Sequence, residues 1–174
     1  MCLIPGAAPL SGVTMQQLSV DDLAVKSTAI IRGHVVDSYT AMTGPTVYTH
    51  YHIAVTETWK GAAGSTIDVA LPGGTTDGIR QSYPGVPQLG TGSDYVLYLW
   101  TSPSSGITLP TGFSQGIFTV TGSTPSGLLT SRSATSELML DSKGHPVQDR
   151  AVSMHLADMK SQVATALLRP GSPK

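Results

Sequence analysis

Thr28-Ala29-Ile30-Ile31-Arg32-Gly33-His34-Val35-Val36-Asp37-Ser38, followed after Thr43-Gly44-Pro45 by an apolar alternation through Val47, Tyr51, Ile53 and Val55 to Trp59, decides the fold. β-Branched residues flank Gly33 in the first run, which reads as a long strand bent or bulged at the glycine. The second run repeats every two residues and stops at Lys60-Gly61, so the two form a hairpin. Long bent strands of this kind build small barrels.

Working outward, Ile67, Val69 and Leu71 alternate with Thr66, Asp68 and Ala70 before Pro72-Gly73-Gly74, giving a third strand. Asp94 to Trp100 is continuously apolar and aromatic, as a strand covered on both faces would be, and Gly116 to Val120 supplies a fifth. Leu138-Met139-Leu140 with a turn at Lys143-Gly144-His145-Pro146 reads as an edge hairpin beyond a Ser, Thr, Gly and Pro tract. Residues 73–92 read as a long irregular loop anchored by Ile79, Tyr83 and Val86, the expected contacts for a partner.

Two helices flank the strands. Ser19 and Asp22 form a capping-box pattern with Leu18 and Leu23 at staple positions, which predicts a helix over Val20–Lys26 that plugs one end of the barrel. Val152, Leu156, Met159, Val163 and Leu167 recur at helical spacing until Arg169-Pro170-Gly171, predicting a closing amphipathic helix. The fold class is therefore mainly β: a small five-stranded barrel of OB type with a short N-terminal and a C-terminal helix. Residues 1–17 are expected to be an extended lead-in, 18–170 a single domain and 171–174 a tail.

The chain has 174 residues, enough to bury about two-thirds of its unfolded surface. Ten Lys and Arg stand against eleven Asp and Glu, scattered along the chain, so no basic footprint for nucleic acid exists. No stretch approaches the run of apolar residues that spans a bilayer as a helix. Met1-Cys2-Leu3-Ile4-Pro5-Gly6 lacks the basic and apolar regions of a signal peptide, so an export signal is expected to have been removed. Cys2 is the sole cysteine; it reads either as the lipid-bearing residue of a processed lipoprotein or as a remnant beside a starting methionine.

Leu18-Ser19-Val20-Asp21-Asp22-Leu23, Ala29 to Val36, Val55-Thr56-Glu57-Thr58-Trp59-Lys60-Gly61, Pro72-Gly73-Gly74, Pro84-Gly85-Val86-Pro87 and Gly92 to Leu99 together resemble secreted bacterial domains of uncharacterised function. Some of those domains accompany matrixin-type metalloproteases. The strand order is also similar to the netrin-like barrel of the tissue inhibitors of metalloproteinases. Those inhibitors use several disulfides and a zinc-chelating N-terminal cysteine, whereas here Cys2 follows a methionine and has no partner. The resemblance implies a secreted or periplasmic domain, lipid-anchored if Cys2 is acylated.

The Gly-x-Ser-x-Gly spacing occurs once, at Gly112-Phe113-Ser114-Gln115-Gly116, but it leads into the Gly116 to Val120 strand rather than a helix, so it lacks the strand-turn-helix setting of a nucleophile elbow. There is no P-loop, and the one close acidic pair, Asp21-Asp22, suits a helix start. His34, His50 and His52 form the one constellation suited to a divalent transition metal. Alternation puts His50 and His52 on one strand face, and a hairpin closing about Met42 would set His34 across from His50 and Arg32 across from His52. His145 in a turn and His155 beside the helical stripe need no such role. Trp59 and Trp100, at strand ends, are expected to plug the barrel. The expected function is an exported, non-catalytic binding domain without cofactor, its partner a protease or an envelope protein; the alternative is a metal-dependent role for the three histidines.

Overall fold

The structure, a computed structural model, describes residues 14–122, 127–135 and 137–169. Cys2 and the tail at 171–174 lie outside them. The elements are β1 (Thr14–Gln16), α1 (Val20–Lys26), β2 (Ala29–Thr43), β3 (Thr46–Lys60), β4 (Thr66–Pro72), β5 (Gly74–Thr76), β6 (Ile79–Gln81), β7 (Asp94–Thr101), β8 (Thr108–Pro110), β9 (Ile117–Thr121), β10 (Leu129–Arg132), β11 (Leu138–Leu140), β12 (Pro146–Val147), β13 (Val152–His155) and α2 (Leu156–Leu167). A 3-10 turn, Phe113–Gly116, joins β8 to β9.

Among the described residues the chain is mainly β with two α-helices. One large sheet runs β13-β10-β9-β7-β2-β3-β4, with β8 added beside β9 along the same edge of β7. The sheet curls until β4 approaches β8, yet no ladder joins them, so the expected barrel does not close. Prolines stand at both lips of this seam, Pro72 ending β4 and Pro110 ending β8. Proline lacks the N–H that would extend a ladder.

Two apolar layers follow from the curl. On the concave side Ile31, Val35, Tyr51, Ile53, Val69, Leu71, Leu97 and Leu99 pack together beneath Leu89 of the long loop. On the convex side Ile30, Val96, Tyr98, Phe118 and Val120 pack against Leu23 and Ala24 of α1 and Met159, Val163 and Ala166 of α2. Residues Tyr95–Leu99 are therefore buried on both faces, as their unbroken apolar run requires. α1 has the predicted bounds and capping box, since the Asp22 N–H donates to Ser19 Oγ and the Ser19 N–H to Asp22 Oδ2. It does not plug a barrel end; it lies on the outer face against α2.

Four readings need correction. Thr14–Gln16 of the lead-in is a strand, pairing in parallel with β11. Within the loop at 73–92, Asp77 and Gly78, both at positive φ, turn a small β5–β6 hairpin. Leu129–Arg132 of the Ser/Thr tract is strand β10. Val152, read as the start of the last helix, belongs to β13, because Arg132 and Thr130 of β10 pair with Val152 and Met154 before α2 begins. The expected edge hairpin is present as β11–β12.

Candidate functional site

The β2–β3 hairpin closes at Gly44-Pro45, with Gly44 at φ 58° as the first turn residue and Thr43 paired to Thr46. Three shifts interrupt its register: between Ile30 and Ile31, Arg32 and Gly33, and Val35 and Asp37. Gly33 is needed at one of them, since a Cβ there would lie 2.4 Å from the Ala54 carbonyl oxygen. Turn and bulges together move the partners of every histidine. His34 faces Ala54, Arg32 faces Glu57, and the positions opposite His52 and His50 go to Asp37 and Tyr39. The expected convergence of His34 with His50 is thus not formed. Arg32, expected beside His52, instead binds Asp94 at 2.7 Å and Glu57 at 3.2 Å.

The helices cover the β7–β9 side of the convex face and leave His50 and His52 on its uncovered β3–β4 side. His50 Nδ1 lies 2.7 Å from Asp68 Oδ1, and its ring stacks on Tyr39 at 4.8 Å. His52 Nδ1 lies 2.5 Å from Asp37 Oδ1, and its Nε2 is 3.4 Å from Asp68 Oδ2. Carboxylates fix the orientation of both rings, although alternation along β3 alone gave no sign of them. Among the described residues, no three of His, Cys, Asp and Glu form a metal-ligand group.

A second feature lies at the open seam. Two apolar hollows of about 280 and 430 Å³ share Met15, Pro72 and Phe113. One lobe adds Tyr48, Tyr83 and Val86; the other adds Leu18, Trp100 and Leu109. Phe113 between them holds φ at 54°, a left-handed conformation that costs a non-glycine residue about 1–2 kcal/mol, and its ring is still 39% exposed. Gln115, two residues on and fully buried, braces this turn: its Oε1 accepts from the Leu18 N–H at 2.8 Å and its Nε2 donates to the Gln16 carbonyl at 3.0 Å. That bracket sets Met15 and Leu18 opposite Phe113. Glu137 lines the first lobe with Oε1 buried and without a hydrogen-bond partner among the described residues; Lys26 lines the second.

Of the residues expected to contact a partner, Tyr83 and Val86 line this groove. Ile79 does not; it is exposed on the β5–β6 hairpin. Trp100 is no plug but an exposed wall of the groove, and Trp59 packs under Lys160 on the helix side. The remaining lining residues come from separate segments, and only Gly112-Phe113, an aromatic after a turn glycine, hints at the site in the sequence. Compared with family models and with curated proteins, the chain matches none of either.

Proposed function

We propose that this is an exported, non-catalytic binding domain that holds an extended apolar segment of a partner protein, a protease or an envelope component, in the groove of its open barrel. The strand order β9-β7-β2-β3-β4 around one apolar interior supports an OB-like, netrin-like reading opened between β4 and the β8–β9 edge. The observation that carries the function is Phe113, an aromatic ring kept exposed between two apolar lobes at the cost of backbone strain. Strain of that kind persists where the side chain's position is used.

Prolines at both lips disfavour strand addition, so recognition rests on side chains entering the two lobes. The Glu137 oxygen, without a partner among the described residues, favours a donor at one end of the segment, and Lys26 favours an acid at the other. Peptide-display selection against the Cys2→Ser protein tests this reading. Enriched apolar peptides should shift Trp100 fluorescence on binding and lose at least tenfold in affinity to the Phe113→Gly variant. Failure to enrich any sequence, or equal affinity in that variant, removes the groove as the binding site.

A further inference from the structure

Tyr39, His52 and Asp68 bring three donor atoms together on the uncovered half of the convex face. Asp68 Oδ2 lies 3.4 Å from His52 Nε2 and 3.5 Å from Tyr39 Oη. Ligands held about 2.0–2.2 Å from a tetrahedral ion stand roughly 3.3 Å apart, so both separations already suit a shared ion. Each donor comes from a different strand of the β2–β3–β4 ladder, Tyr39 from β2, His52 from β3 and Asp68 from β4, so the sheet itself fixes the spacing.

We propose that these three residues bind a divalent transition-metal ion through an imidazole nitrogen, a carboxylate oxygen and a phenol oxygen. Asp37 Oδ1 lies 2.5 Å from the other nitrogen of His52, so Nε2 is the ring atom that faces Asp68 Oδ2. The Tyr39 hydroxyl donates to Asp68 Oδ2, and an ion bound between them takes the place of that proton, which is released to solvent. His50 holds the second oxygen of Asp68 at 2.7 Å, so each of these two first ligands has its own brace. Arg32 is turned into its pairs with Asp94 and Glu57, which take up its positive charge. His52, Asp68 and Tyr39 are each 40–46% exposed, so an ion enters from solvent and water completes its coordination. Imidazole with two oxygen donors favours Cu(II) over the other divalent first-row ions.

The test is titration of Cu(II) into untagged, metal-free Cys2→Ser protein, followed by calorimetry and electron paramagnetic resonance. One equivalent should bind with a nitrogen-plus-oxygen signature. His52→Ala and Asp68→Asn should abolish it, and Asp37→Asn should weaken it about 10–100-fold. Tyr39→Phe, which keeps the stacking ring, should weaken binding and remove any phenolate-to-copper absorption. His34→Ala should leave binding unchanged. Circular dichroism and melting temperature establish that each variant is folded. Absence of stoichiometric binding, or an equivalent that survives in folded His52→Ala and Asp68→Asn proteins, overturns the proposal.

Discussion

Tyr98 puts a hydroxyl into the layer between sheet and helices, where the residue is fully buried against Phe118 and the oxygen has no hydrogen-bond partner among the described residues. Burial, with a contribution from Asp21, pushes its ionisation well above the ordinary tyrosine range. Leaving a buried hydroxyl unpaired costs of order 1 kcal/mol or more. Tyr98→Phe should therefore stabilise the fold, raising the melting temperature by about 2–4 °C in a calorimetric scan; a lower melting temperature would show that the hydroxyl is satisfied. Phe113 carries the opposite imbalance. Glycine accepts its φ of 54° freely, so Phe113→Gly should leave urea stability unchanged within about 1 kcal/mol even though an aromatic ring is lost.

At the level of elements, α1 shows how much a local signal can specify. Its bounds and capping box were readable because every residue involved lies within one turn, and Ser19→Ala should cost about 1 kcal/mol in urea denaturation. The Ser19 hydroxyl also donates to Asp22 Oδ2 at 2.6 Å, and this side-chain hydrogen bond is the first reason the Asp22 carboxyl lies below its usual range. Strands β2, β3, β4 and β7 were legible for a similar reason, their period or their unbroken apolar run being local. The histidine site was not, because its geometry depends on a two-residue turn and on bulges whose positions alternation cannot show. Asp77-Gly78, a short-range hairpin signal, was present but hidden inside a Gly- and Pro-rich stretch. β13 was masked because Val152 satisfies a helical period and a strand period at once. The groove was least legible: Met15, Tyr48, Tyr83, Trp100 and Phe113 meet only through the curl of the whole sheet.

For the molecule as a whole, acid stability turns on Arg132 and Asp149. Their side chains are 6% and 1% exposed and joined at 2.6 and 2.9 Å. Burial raises the Asp149 pKa, but hydrogen bonds from Arg132 and from the Thr135 and Arg150 backbone outweigh it and hold the carboxyl at about 2 against 3.8 in a free chain. Because the folded value is the lower one, this contribution is complete above about pH 4 and is lost as pH falls toward 2. Asp149→Asn should flatten that loss between pH 4 and 2 and cost about 3–5 kcal/mol at pH 7, as it strands the Arg132 charge; urea titrations across pH measure both.

The contact between the two helices has a kinetic meaning. Asp21 of α1 accepts a hydrogen bond from Gln162 of α2 across 141 positions, and α1 finds its apolar cover largely there. A nascent chain therefore exposes Leu23 and Ala24 until residues 156–167 have left the ribosome. Closing so distant a contact is slow, which places folding toward the millisecond-to-second end of the range for small domains. During that interval the half-made sheet stands open, and a chaperone meets an unfolded chain rather than a finished domain.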